Sequence, residues 1–359
     1  MEDMVNDKQF WKNKNVLVTG HTGFKGSWLC LWLQELGANV TGISLRPTCQ
    51  PNLFEAAAVD ENMRSLYIDI RNVDALKKAF SETQPEIIIH MAAQSLVRKS
   101  YHDPVETYST NVMGTVNVLE AVRYSPSVRA VVNVTSDKCY ENNDDFRPFV
   151  ESDRMGGYDP YSNSKGCAEL VAQAFTSSYF NKHQFHEHSV AIASARAGNV
   201  IGGGDWAQDR LIPDIFKAIS KKETVIIRSP KAIRPWQHVL EPLSGYMLLA
   251  QRLFEDGANF IGGWNFGPEK QDAKPVAWVV DEICRLWGNE ARYEITKNPQ
   301  PHEANILMLD SSKSNQKLNW KPTWGLSTAL KNTVDWYQAY QRQDNMRDVT
   351  RKQIVNFRK

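Results

Sequence analysis

The sequence predicts an α/β fold, an open doubly wound parallel sheet followed by a smaller C-terminal lobe. Three observations carry this. A short apolar run leads into three glycines and then a helical pattern over residues 15–37. Apolar runs of strand length then alternate with helix-length segments as far as residue 198, as a βαβ sheet requires. Beyond that point the alternation weakens and the elements become shorter and mixed.

Val16-Leu17-Val18 reads as a buried strand, and Ser27–Leu36 has helical periodicity that stops at Gly37. Between them Gly20, Gly23 and Gly26 recur every three residues. Strand, glycine turn and helix are the parts of a dinucleotide site. Gly20 permits the tight turn, Gly23 lets the backbone approach a pyrophosphate, and Gly26 lets helix and strand pack closely. The helix start offers free N–H groups and a positive dipole end to the phosphates.

The second strand is Ala38–Leu45, and the acidic residue expected near its end to bind a ribose is missing; Ser44 and Arg46 stand there. Arg46 either meets a 2′-phosphate or is a solvated loop arginine. Ser65–Ile70 is the third strand, with Asp69 at its end either facing a ligand or capping the helix at Asn72–Phe80. Glu86–Ala93 is the fourth, and its small Ala92 and Ala93 run into Gln94. Pro104–Tyr124 is a long helix carrying Asn111, and Val128–Ser136 is the fifth strand, followed directly by Asp137-Lys138-Cys139-Tyr140. Ligands in open α/β sheets bind beyond the carboxyl ends of strands, so these side chains face the expected crevice.

A helix starts near Tyr161 and runs through Phe175; His188–Arg196 is the sixth strand, ending in the glycine-rich loop 197–206. Leu211–Lys221 is helical, Thr224–Arg228 a short strand, and Arg234–Phe254 a helix. Gly263–Phe266 is strand-like, and Val276–Trp287 and Leu326–Tyr340 are helices. The expected division is 1–198 for the nucleotide-binding domain, with the chain returning to it at 235–265. The lobe is mainly 199–342, and 343–359 is a charged, partly disordered tail.

The 359 residues hold 42 Lys plus Arg against 41 Asp plus Glu, which gives no support for a nucleic-acid or anionic-membrane partner. No apolar run approaches the ~20 residues of a spanning helix, and Met1–Lys14 is too polar for a signal peptide. Five scattered cysteines show neither zinc spacing nor a disulfide framework. A reduced, cytoplasmic protein without a metal centre is expected.

Tyr161 and Lys165 are four residues apart at a helix start and share one face. An ammonium near a phenol lowers its pKa from about 10, so Tyr161 is expected to serve as a base at neutral pH, with Thr135 and Ser136 upstream. Ser136 would bind a substrate hydroxyl from which Tyr161 takes a proton, while a hydride leaves the same carbon.

With these residues in place the chain resembles the extended short-chain dehydrogenase/reductases over nearly its whole length. It is most similar to the sugar-nucleotide 4,6-dehydratases, and among them to those acting on CDP-glucose. The resemblance rests on residues 20–26, 91–94, 135–140, 196–206, 234–238 and 309–313. It implies a recycled NAD held by Gly20, Thr22, Gly23, Phe24, Lys25, Gly26, Arg46, Asp69 and Ile70 on one side. Ala92, Ala93, Gln94, Thr135, Tyr161, Lys165, Ala197 and Asn199 would line the other, with Asn111 propping the site from behind. Gln94, Ser136, Asn199, Arg210, Leu211, Arg234 and His302 would bind the sugar nucleotide, and Trp206 and Trp236 either border the pocket or pack in the core. Asp137 would protonate the C6 hydroxyl. Relatives of this kind carry Asp-Glu where this chain has Asp137-Lys138, a departure that matches the CDP-glucose branch and makes Lys138 the candidate C5 base. The resemblance also implies a homodimer or homotetramer paired through residues 104–124 and 160–180, and a product that feeds dideoxysugars of bacterial surface polysaccharide. A nucleotide-sugar 4-epimerase or reductase, and a non-catalytic NAD(P)-binding protein, are the alternatives.

Overall fold

The computed structural model describes residues 7–142, 147–208, 210–227, 229–288, 293–295 and 307–358. A short helix α1 (Lys8–Trp11) precedes β1 (Asn15–Thr19) and α2 (Phe24–Glu35). Gly37, at φ +80°, ends that helix in a conformation only glycine takes cheaply, and β2 (Asn39–Ser44) follows. Next come α3 (Leu53–Ala56), β3 (Arg64–Tyr67), α4 (Val73–Thr83) and β4 (Ile87–His90). Helices α5 (Val97–His102), α6 (Pro104–Tyr108) and α7 (Gly114–Arg123) lead to β5 (Ala130–Val134). Helix α8 (Pro160–Ser178), capped by the Asp159 carboxylate, and the short α9 (Phe185–His188) precede β6 (Ala191–Ala197).

The remaining chain is β7 (Val200–Ile201), α10 (Leu211–Ser220), β8 (Val225–Ile227), β9 (Ile233–Pro235), β10 (Gln237–His238), α11 (Leu240–Phe260) and β11 (Gly262–Phe266). It ends with β12 (Ala273–Pro275), α12 (Val276–Trp287), β13 (Tyr293–Ile295), α13 (Ser312–Leu318), α14 (Leu326–Gln341) and α15 (Met346–Phe357).

One seven-stranded sheet, order β3-β2-β1-β4-β5-β6-β11, organises these elements, and every pairing in it is parallel. Strand side chains alternate between faces, and here both faces are covered. Val16, Val18, Ile87, Ile89 and Val132 pack into one core with α2 and α11, while Leu17, Ile88 and Val131 pack into the other with α4 and α7. That explains the unbroken apolar runs in the sequence. The strand order reverses at the β1–β4 pair, the place where such sheets open a crevice.

Three expectations change. Residues 234–238 form strands rather than the first turn of a helix, which begins at Leu240. Pro235 disfavours a helical residue before it and has no N–H to give. The helix expected over 104–124 is interrupted by a π-turn, Ser109–Met113, which contains Asn111. The tail after Arg342 is largely ordered: α15 buries Met346, Thr350, Ile354 and Phe357. The Phe357 ring packs edge-on to Trp32 and Trp324, and Trp336 Nε1 donates to Thr350 Oγ1 at 2.9 Å. The apolar residues recur on one helical face, and the charges that suggested disorder lie on the other.

Candidate active site

The carboxyl ends of β1, β4, β5 and β6 open into a cleft of about 1240 Å³ whose far wall is built from residues within 199–207, 210–214, 225–227 and 229–236. All but two of the candidate residues line it. His302 lies outside the described residues, and Asn111 sits behind the wall.

The glycine turn forms the floor. Gly20 has φ +79°, and a Cβ there would lie 2.9 Å from Ala92 N. A Cβ on Gly26 would stand 2.1 Å from Gly20 O, so no side chain fits. Gly23 is the N-cap of α2 and has no side chain to accept from its first-turn N–H groups. These features suit a pyrophosphate. Thr22 Oγ1 donates to Leu45 O and meets Ser44 Oγ, each at 2.9 Å, which ties the turn to the end of β2. Arg46 is exposed and stacks over the Tyr67 ring, 4.3 Å from its centroid. Asp69 accepts from Arg71 rather than capping α4; Asn72 is the cap.

Asn111 is buried, and its amide closes a ring with Gln94. Its Oδ1 accepts from Gln94 N at 2.8 Å, and its Nδ2 donates to Gln94 O and to Ser164 Oγ. The π-turn brings the amide here from a helix, and it fixes the backbone beyond β4 against α8.

Ser136, Asp137, Lys138, Tyr161 and Lys165 all line the cleft. Ser136 hydrogen-bonds the Tyr161 phenol, and its Oγ lies 2.9 Å from Asp137 Oδ1. Asp137 is buried, and its Oδ2 has no hydrogen-bond partner among the described residues. Burial raises this carboxyl above the usual range, against the pull of Lys138, Ser136, Arg234 and Lys25.

Tyr161 departs from the expectation. Burial pushes its phenol up to about 12, and the opposing influences are the Ser136 hydrogen bond and the charge of Arg210. Lys165 turns its Nζ to Val134 O at 3.3 Å, and burial brings its own pKa down to about 8. Desolvation of the ring is thus the dominant influence, and Lys165 is not among the groups that lower it.

For several other candidates the sequence did not reveal the partners, which include Asp205, Ser95 and Tyr246. Arg210 bridges the cleft, its Nη1 on Asp205 and its Nη2 on Ser95, each at 3.0 Å. Lys25 donates to Tyr246 OH at 3.3 Å; burial, then Lys165 and Arg210, lower its pKa to about 7. Trp206 and Trp236 both border the cleft and pack: Trp206 against Trp336 and Tyr340, Trp236 with Nε1 on Lys274 O. Asn199, Leu211 and Arg234 line the far wall, with Arg234 buried and close enough to influence Asp137.

Residues 17–333 match the GDP-mannose 4,6 dehydratase family. A CDP-glucose 4,6-dehydratase of Salmonella typhimurium is 54% identical over 351 residues, 98% of this chain and 98% of that relative. The chain belongs to the sugar-nucleotide 4,6-dehydratase family. Solved structures share the family's fold at lower identity. A dTDP-glucose 4,6-dehydratase of Bacillus anthracis in complex with NAD superposes with TM-score 0.75 at 22% identity, covering 93% of this chain and 99% of that one. A UDP-glucose-4-epimerase of Stenotrophomonas maltophila, with bound NAD and formylated UDP-arabinopyranose, gives 0.79 at 21%, covering 92% and 99%. Since dehydratase and epimerase share this fold, the fold alone does not choose between their reactions.

Proposed function

We propose that the protein converts CDP-glucose to CDP-4-dehydro-6-deoxyglucose and water. NAD bound over the glycine turn supplies a hydride acceptor for C4 and later a hydride donor for C6. The chain's own residues move the protons. Ser136 holds the C4 hydroxyl, and Tyr161 takes its proton as the carbonyl forms. Because burial holds the phenol near 12, substrate and cofactor binding must complete the environment that lets it give up its own proton. The new carbonyl makes the C5 proton acidic; Lys138 takes it, and Asp137 protonates the departing C6 hydroxyl. Proton return to C5 completes a redox-neutral cycle.

The observation that carries the reading is the pair beside Ser136: a buried carboxyl whose pKa is raised by that burial, followed by a half-buried lysine at the cleft wall. An epimerase or reductase has no elimination step and no use for such a pair. The 54% identity to a CDP-glucose 4,6-dehydratase supports the choice of nucleotide. Arg210 and Arg234 suit the pyrophosphate, since a guanidinium binds phosphate oxygens in pairs. Residues 1–198, with the return near 235–265, supply the NAD side, and the sugar-nucleotide side comes mainly from within 199–342. The exposed apolar residues Val105, Tyr158 and Leu170 on α6, before α8 and on α8 support a dimer through this face.

Incubation with CDP-glucose and NAD tests the assignment. A 4-keto-6-deoxy sugar, seen by its alkaline absorbance, is expected without net NADH. A C4 epimer, accumulating NADH, or turnover of dTDP-glucose or GDP-mannose in preference would overturn it.

A further inference from the structure

A buried ion pair lies immediately behind the Ser136–Tyr161–Lys165 centre. Glu169 stands on α8 one turn after Lys165, and Arg196 stands on β6; both side chains are almost completely enclosed. Arg196 grips the carboxylate with two bonds, Nε to Oε1 at 2.8 Å and Nη2 to Oε2 at 2.9 Å. Its Nη1 donates to Tyr140 OH at 2.7 Å and to Glu151 O at 3.1 Å. Gly263 on β11 makes room for the guanidinium: a Cβ there would lie 2.4 Å from Nη2.

Glu169 also accepts a third bond, from Thr135 Oγ1 to Oε1 at 2.5 Å. Thr135 is the residue before Ser136, at the end of β5. A simple fold staple between α8 and β6 needs only the Arg196 bonds. The Thr135 bond adds the strand end that carries the substrate-facing serine, and the same carboxylate is the strongest influence keeping the Lys165 proton on.

We infer that Glu169 is a positioning residue for the proposed reaction: it fixes the Ser136 strand end through Thr135 and sustains the positive charge of Lys165 one helical turn away. This rests on the dehydratase reading above. The groups facing Lys165 are Tyr161 and Glu169 on α8, Cys139 beyond β5, Lys25 on α2 and His90 on β4. Glu169 is the only carboxylate among them. Burial favours the neutral amine and Glu169 is the foremost influence opposing it, so the charge at neutral pH depends on Glu169.

The test is the pH profile of C4 oxidation in one turnover of CDP-glucose with NAD. Wild type is compared with Glu169→Gln and with the double variant Glu169→Gln/Arg196→Met, which leaves no unpaired buried guanidinium. Gln keeps an oxygen for Thr135 and removes the charge. The alkaline limb should move down by about one pH unit in both variants, with KM for CDP-glucose within about twofold of wild type and kcat reduced at pH 8. Should Glu169→Gln fail to fold, the double variant is read alone. A folded variant with the wild-type pH profile overturns the inference, and failure of both to fold places Glu169 in the scaffold and overturns it equally. If wild type itself does not oxidise CDP-glucose, the dehydratase reading fails instead, and the two failures are told apart by that control.

Discussion

Replacing Asp137 by Asn removes a proton donor while keeping the shape of the site. Asn Oδ1 can still meet Ser136 Oγ, now 2.9 Å from the carboxylate, so the C4 oxidation geometry should persist. General acid catalysis contributes about 10²–10⁴-fold, or about 3–5 kcal/mol of barrier. Stopped-flow absorbance should therefore show the reduced nicotinamide forming at near the wild-type rate and then persisting, while 4-keto-6-deoxy product appears at least about 10²-fold more slowly. Stability should move the other way. Burial holds the folded carboxyl above its unfolded value of about 3.9, so the folded state binds the extra proton. Wild type then loses stability as pH rises through the interval between the two values and carries that deficit at all higher pH. Asn carries no such deficit. The variant should melt higher than wild type at pH 7–8, and the difference should vanish below about pH 3.9. Product formation within tenfold of wild type, or loss of oxidation and dehydration together, would refute the acid role.

Lys138→Met should stop the exchange of C5 deuterium with solvent while sparing C4 oxidation; retained exchange would remove Lys138 from the base role. Gly26→Ala places a Cβ against Gly20 O, and NAD titration by fluorescence should show binding lost even where circular dichroism reports a folded chain. Deleting residues 343–359 strips Ile354 and Phe357 from the core beside Trp32 and Trp324. At roughly 1.5–3 kcal/mol for each fully buried side chain, the truncated chain should melt several degrees lower by calorimetry. An unchanged melting temperature would mean that α15 adds no stability.

Local spacing made much of this protein legible before any coordinates. Three glycines at 20, 23 and 26 have their meaning within one strand and one helix, and so do Tyr161 and Lys165 on one helix face. Each is a short-range pattern, and the backbone alone brings its members together. The continuous apolar runs likewise announced strands buried on both sides. Other features depend on packing between distant segments. Glu169 was visible as the residue four past Lys165, but its partner Arg196 is 27 residues away, on a strand. Arg210 reaches Ser95 across 115 residues. The tail concealed its apolar stripe among charges until α2 and α14 gave it a surface to cover. The acidity of Tyr161 belongs to the same group: spacing says that a lysine is near, but only the enclosed site shows that desolvation dominates and that Ser136 and Arg210 oppose it. Sequence thus determined which residues could form the site, because turns, caps and helix faces follow from neighbours in the chain. The tertiary structure decided how those residues are charged and held, because burial and long-range pairing exist only once the sheet has closed.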